Sequence, residues 1–338
     1  MFLPQSRGPV SAWVRRRMLG LGADQLPEPP EPEGLLDDDD VQLALWMMYE
    51  MHYVGFDEVD PALEWDLELL AMRQLLEAPF ELALRGLVAS VGVGTVGARP
   101  SQIVDALRQV IDDAPDAGLA RHLQRRATAD QFADFLRQRS IYHLKEADAH
   151  SFVLPRLRGS VKVALAEVQY DEYGAGRAER LHQDLFASAM VACGLDARYG
   201  RYLDDADAAT LAASNALSFA CLHRRNRAIA AGHLAAFEAT SSLPCRRICQ
   251  GVERLGLPRE VFDYYDEHVE ADAVHEQIAL TDLCGGLVAD EPELAGDVLF
   301  GAQLALYLGA RADRALLKRW STSAASPAAT NGAGQEVA

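Results

Sequence analysis

His268, Asp272 and His275 form the run H-x-x-x-D-x-x-H within YYDEHVEADAVHEQIALTDL. On an α-helix, offsets of four and seven residues return to nearly the same angle, so all three side chains leave one face. Two imidazoles and a carboxylate on one face suit a first-row metal ion such as iron. In an acidic chain the same triple also arises on a solvated helix face, so the rest of the sequence has to decide.

A second set of such residues lies upstream. Glu179 and His182 form E-x-x-H in GRAERLHQDLFASAM, and residues three apart are neighbours on a helix, able to converge on one ion. Paired E-x-x-H helices mark ferritin-like dinuclear carboxylate proteins. Only one E-x-x-H occurs here, so that pattern is not met. Glu238, in AIAAGHLAAFEATSSLP, shares its helical face mostly with Ala, Leu and Phe. An ionised carboxylate there needs a partner, either a metal or an arginine. Glu146, in SIYHLKEADAHSF, is a further carboxylate on a helix with one apolar face. Each glutamate taken singly fits a salt bridge. Together, three imidazoles (His182, His268, His275) and four carboxylates (Glu146, Glu179, Glu238, Asp272) can hold two iron ions with positions open for oxygen or substrate. A zinc site usually needs only three or four protein ligands.

The elements that must position these residues are helical. The chain has 338 residues, 49% of them hydrophobic, ample for a buried core. Ala, Leu, Glu and Arg dominate at helical periods, and alternating β-branched runs are missing, which predicts an all-α fold. Helices are expected near 64–89, 101–113, 116–126, 129–149, 155–173, 176–193, 205–241, 245–255, 259–286 and 293–318. Gly174, Gly176, Gly194, Pro244 and Pro258 supply the breaks. Residues 1–36, with the Pro/Glu stretch PEPPEPEG, read as a flexible acidic lead. Residues 37–128 read as an N-terminal helical region, 129–319 as the unit carrying the candidate ligands, and 320–338 as a disordered tail. Asp37 to Asp40 favour a helix start. The following VQLALWMMYEMHYVGF is apolar nearly all round, so it is buried within the chain or against a second copy in a homodimer.

Composition excludes several partners. A formal net charge of −18 repels nucleic acid. No apolar run approaches the ~20 residues a membrane helix needs. Arg15, Arg16 and Arg17 are not followed by an apolar core of signal-peptide length. Five scattered cysteines, an odd number, fit a reducing cytoplasm, and Cys245-x3-Cys249 lacks a second cysteine pair. Gly92, Gly94 and Gly97 match G-x-G-x-x-G, but no strand precedes them, so no dinucleotide site is expected. His223 and His233 fall off the face of Glu238, whereas His143, three residues before Glu146, can orient it. Tyr170 and Tyr173 are candidate hydrogen-bond donors to the site, or simply packing tyrosines.

The order and spacing of Glu146, E-x-x-H (Glu179, His182), Glu238 and H-x-x-x-D-x-x-H resemble the heme-oxygenase-like diiron oxidases, also described as iron-containing redox enzymes. EVQYDEYG, HLAAFEATSSLP and EHVEADAVHEQI carry the likeness further, over roughly residues 130–310. The resemblance implies a heme-oxygenase-like helical bundle, here with extra N-terminal helices, around a non-haem diiron site. It implies Glu146, Glu179, His182, Glu238, His268, Asp272 and His275 as ligands. Some members carry an extra carboxylate one heptad before the E-x-x-H glutamate, and Glu172 occupies that position, with Asp171 and Glu167 near enough to substitute. Two non-haem irons, with O2 as co-substrate, would then oxidise a small organic molecule by N-oxygenation or oxidative C–C cleavage. Two competing readings are a metal-free enzyme of the thiaminase-like branch, which would need an activated cysteine, and a non-catalytic helical interaction protein.

Overall fold

A computed structural model describes residues 1–22, 28, 30–89 and 99–325, with the side chains at 100, 270–274 and 323–325 outside the description. Among the described residues there is no strand. In chain order the helices are α1 (Pro9–Met18), α2 (Asp39–Glu50), α3 (Leu67–Ala89), α4 (Pro100–Asp112), α5 (Leu119–Arg125), α6 (Ala129–His143), α7 (Asp148–Ser151), α8 (Gly159–Glu172), α9 (His182–Ala192), α10 (Ala208–Leu222), α11 (Arg227–Leu255), α12 (Arg259–Gln277), α13 (Gly286–Asp290) and α14 (Ala295–Ala325). A π-helical stretch, Ile278–Gly285, joins α12 to α13. No helix is long and apolar enough to cross a membrane among the described residues.

Caps fix several starts. Asp38 accepts from the backbone N–H groups of Asp40 and Val41 at the head of α2, and Thr128 with Gln131 closes a capping box on α6. Asp40 reaches further: its two oxygens accept from Val10 N at 2.8 Å and Ser11 N at 2.7 Å, capping α1 from α2. With Trp13, Val14 and Met18 buried, α1 is therefore part of the packed body. The flexible lead expected over residues 1–36 does not include it. Its residues are too polar in sequence to announce that docking; the cap comes from another helix.

Two apolar clusters organise the molecule. One gathers α1 to α4, much of α8 and α10, the first half of α11, the π-helical stretch and the first half of α14. The other gathers α5, α9, the second half of α11, the start of α12 and the end of α14. Helices α6, α11 and α14, and α12 together with the π-helical stretch that continues it, run from one cluster to the other. On α11, Leu234 to Ala236 belong to the first and Cys245 to Val252 to the second, with Glu238 between. On the α12 line, Val261 to Tyr265 belong to the second and Ile278 to Leu283 to the first, with His268 and His275 between. The candidate ligands thus sit at the seam, where a polar core costs no contact inside either cluster. Val41 through Glu50 are all buried within this single chain.

Helices α11 and α14 cross so closely that only glycine fits at the contact. A Cβ at Gly232 would lie 1.8 Å from the Val298 carbonyl oxygen, and one at Gly301 2.0 Å from that of Ile229.

Several expected boundaries shift. The helix expected over 129–149 stops at His143, because Ala147 takes a left-handed φ of 70°. The one expected over 205–241 divides around His223–Asn226. Pro244, expected as a break, lies inside α11 instead. It lacks an N–H, and the preceding turn carries Thr240 and Ser241, whose hydroxyls donate to the Ala236 and Phe237 carbonyls. The tail begins later than 320, since α14 continues to Ala325. Gly92, Gly94 and Gly97 lie outside the described residues.

Candidate metal centre

The candidate side chains reach the seam from five segments of the chain. Glu146 sits in the turn between α6 and α7, immediately before the left-handed Ala147. Gln183 donates to the Glu146 carbonyl at 2.9 Å, and Gln169 to the Ala147 carbonyl at 2.9 Å, so two amides hold this strained turn. Glu172 is the last residue of α8 and continues its buried stripe through Leu165 and Val168. His182 is the first residue of α9. Glu238 comes from the middle of α11, and His268 and His275 from α12.

These residues converge into two groups that share Glu172. Glu146, Glu172, His182 and His268 offer ligand atoms that all lie within 4.8 Å of one another, and Glu172, Glu238 and His275 form the second such group. Glu172 Oε2 lies 2.9 Å from His182 Nδ1, while its Oε1 lies 3.9 Å from His275 Nδ1. One carboxylate therefore turns an oxygen toward each group. His268 Nε2 is 3.7 Å from Glu146 Oε1, and His275 Nδ1 is 3.4 Å from Glu238 Oε2.

All six are buried, from 1% exposed at His275 to 8% at Glu172. Three carboxylates so far from water require nearby positive charge. Burial pulls the His268 imidazole down, but the facing Glu146 and Glu172 outweigh it and hold it up at about 10. His275 is held up at about 9 by Glu238, Asp171 and Glu172, again against burial. Burial raises Glu238, and Glu172 adds to that, whereas at Glu146 the neighbouring His143 and His268 overcome burial and hold the carboxyl well below its usual range.

The ring orientations match metal ligation. His268 directs Nδ1 to the Tyr264 carbonyl at 2.8 Å, and His275 directs Nε2 to Asp171 Oδ2 at 3.1 Å. Such contacts fix the tautomer and free the other nitrogen for an ion. Those other nitrogens, His268 Nε2 and His275 Nδ1, are buried with no hydrogen-bond partner, and His182 Nδ1 is in the same condition despite its closeness to Glu172. Three orphaned imidazole nitrogens facing three buried carboxylates fit a pair of first-row metal ions.

Glu179 is placed elsewhere. It lies exposed in a short 3-10 turn, Ala178–Arg180, and is in neither group. Leu181 has an extended ψ of 121°, so Glu179 and His182 do not share a helix and the i, i+3 relation does not operate. Glu172, put forward only as a further candidate, stands in the centre. Asp272 is helical within α12, and its side chain lies outside the described residues. Glu167 is exposed on α8.

The supporting residues are only partly those expected. His143 does approach Glu146, with Nδ1 3.0 Å from Oε1. Tyr170 and Tyr173 do not: their hydroxyls bond the Ala175 carbonyl, and Ser151 with Asp148. Tyr264, Gln169, Gln183 and Asp171 do the positioning instead. The one sequence signal for Tyr264 was its place four residues, one helical turn, before His268. His223 pairs with Glu77 away from the site, at 2.8 Å. None of the five cysteines belongs to either group.

A cavity of about 300 Å3, counting its open mouth, reaches Glu146, Glu172, Glu238 and His268 and is otherwise walled mainly by Tyr142, Leu234 and Phe237.

Comparison with known proteins gives the following. The sequence model of a family described as iron-containing redox enzyme matches residues 133–310. No curated protein matches the sequence. Among solved structures, a cadd-like protein of unknown function from Nostoc punctiforme PCC 73102 aligns at 18% identity with a TM-score of 0.53, covering 65% of this chain and 97% of that one. A domain of unknown function from Shewanella denitrificans OS217, described as having a heme oxygenase-like fold, aligns at 14% identity with a TM-score of 0.49, covering 68% and 94%. The Nostoc likeness shows a shared helical fold.

Proposed function

The chain belongs to the family of iron-containing redox enzymes, and from that premise we propose that it is an O2-dependent oxidase with two non-haem iron ions. Glu146, His182 and His268 would hold one ion, Glu238 and His275 the other, with Glu172 between them. The observation that carries this reading is the set of three orphaned imidazole nitrogens around the shared Glu172 carboxylate. Asp272, on the same helix as both later histidines, remains a candidate ligand to the second ion.

When bound, such ions supply one-electron redox chemistry and the activation of O2. This chain's residues do the rest. His143 and Tyr264 hold the two oxygens of Glu146, and Asp171 holds His275 by its Nε2. Tyr142, Leu234 and Phe237 give the cavity an apolar wall that excludes bulk water from the reacting end. The substrate is a small organic molecule, oxidised at nitrogen or by C–C cleavage. Five cysteines, an odd number and none in a disulfide, agree with a reducing, cytoplasmic setting.

The thiaminase-like alternative requires a depressed thiol. Burial instead pushes the thiols of Cys193, Cys221, Cys249 and Cys284 up, Cys249 to about 11.

Anaerobic loading with Fe(II), followed by metal analysis, should give about two irons per chain, and mixing with O2 should change the visible spectrum and consume oxygen. Folded full-length protein that retains no iron would sink the reading.

A further inference from the structure

His150 and Gln169 line the same cavity as the carboxylates but belong to neither ligand group. His150 is on the single turn α7, and is 2% exposed. Gln169, one turn before Glu172, donates its Nε2 to the Ala147 carbonyl at 2.9 Å and to Ser151 Oγ at 2.8 Å. A flipped amide would set its oxygen against that carbonyl oxygen, so the network assigns nitrogen and oxygen. Gln169 Oε1 is thereby left buried with no protein partner, and so is His150 Nε2. Buried polar atoms without partners are costly, and the cavity is where the missing partner can enter.

The chemistry of that partner is constrained. A carbonyl oxygen only accepts. His150 is a neutral imidazole at ordinary pH, because burial and the neighbouring His233, with ring centroids 6.2 Å apart, hold it down to about 3. Its Nε2 can therefore accept or donate, according to tautomer.

We infer that the substrate's head group is a hydrogen-bond donor, an N–H or O–H, received by Gln169 Oε1 and positioned by His150 Nε2. What then happens to the molecule rests on the oxidase reading; its binding does not.

The test uses full-length protein carrying 15N in its histidine rings and glutamine amides. It is loaded with Zn(II), which is redox-inert, and titrated with propionamide, propylamine, 1-propanol and butanone. Butanone has nearly the shape of propionamide without its donor. The amide, and at least one of propylamine and 1-propanol, should shift the His150 and Gln169 side-chain resonances saturably, and butanone should bind at least about tenfold more weakly. The stronger of propylamine and 1-propanol tells N–H from O–H. His150→Phe should weaken the donor-bearing probes by a similar factor; if that variant does not fold, the wild-type contrast between propionamide and butanone decides. Butanone binding as tightly as propionamide, or donor probes that leave both resonances unmoved, would overturn the inference. Metal content is measured on the same samples and the titration repeated on metal-free protein, so a failure to bind metal is read separately.

Discussion

Tyr264 donates its phenol proton to Oε2 of Glu146 at 2.8 Å, and in doing so completes a carboxylate whose other oxygen lies 3.0 Å from His143 Nδ1. Tyr264 Oη also lies 2.6 Å from that nitrogen. Burial keeps His143 below its ordinary value, so the ring is neutral and carries its one proton on Nδ1, toward Glu146. Glu146 thus meets an ion with its direction already set. Tyr264→Phe should lower iron affinity by roughly 10–100-fold, with little change in melting temperature. Competition against a calibrated Fe(II) chelator measures this, and an unchanged affinity would remove Tyr264 from the support of the site.

Glu172 and Glu179 offer a sharper comparison, since they are seven residues apart and differ in burial and placement. Glu172→Gln should strip metal from both groups, leaving well under half the wild-type iron, because each group loses a ligand atom. Glu179→Gln should leave iron content and oxygen consumption within error of wild type. Metal analysis of the two purified variants decides it; iron loss in Glu179→Gln alone would reverse the assignment.

The same pair shows how much the sequence could tell. The all-α class follows from helical periods, and helical spacing relates His268 to His275; that Glu146, His182 and Glu238 join them was implied by the resemblance in order and spacing to the iron-containing family. What misled was continuity. E-x-x-H reads as one helix turn only if the helix includes both residues, and the extended Leu181 separates them. The signal for Glu172 was present, an acid on the Leu165–Val168 stripe just before Gly174 and Gly176. Gly174 adopts a φ of 79°, with the Arg180 backbone within 3 Å of where its Cβ would be, so the chain folds back there and α8 ends at the site. The left-handed Ala147 was not legible, because alanine normally promotes helix, and its conformation is imposed by Gln169 and Gln183 from other parts of the chain. Pro244 was misread for a related reason: tertiary packing of a long helix overrode a local breaker.

The paired charges of the site predict a pH dependence. His268 at about 10 and His275 at about 9 both lie above the ordinary imidazole value of 6.5. In metal-free protein their protons stabilise the fold fully below that ordinary value, and the contribution is lost as pH rises through about 9 and then about 10. At neutral pH both rings hold protons that an incoming ion must displace. Metal binding should therefore release about two protons per chain, and apparent affinity should rise with pH. Calorimetry in buffers of different ionisation enthalpy counts the protons. Release of none would mean that the rings are neutral before metal arrives.

The glycine contact between α11 and α14 predicts a large effect from one methyl group. At Gly301→Ala the new Cβ would meet the Ile229 carbonyl oxygen, a backbone atom that cannot swing away. The cost should be about 3 kcal/mol or more. Gly86→Ala, on exposed helix surface with nothing near its Cβ, should be neutral or stabilising by up to about 1 kcal/mol. Thermal melts of the two variants compare them directly, and equal melting temperatures would show that the helices separate readily.

Lys145 precedes the candidate ligand Glu146 and is itself buried, its Nζ 2.9 Å from Glu50 Oε2 on α2. Tyr199 donates to the same Glu50 oxygen at 2.8 Å, and the ammonium lies 4.4 Å from the Tyr53 ring centroid and 5.3 Å from that of Trp46. This pair ties α2 to the turn that carries Glu146. Removing one partner leaves the other charge stranded, which should cost about 3–5 kcal/mol in Lys145→Met or Glu50→Gln. The double variant strands nothing, so its loss should be well below the sum of the two single losses. Denaturant melts of the four proteins give the coupling. Because Lys145 adjoins Glu146, the single variants should also retain less iron than the double one. Single losses under about 1 kcal/mol, or losses that simply add, would show that the pair is not the tie between the two regions.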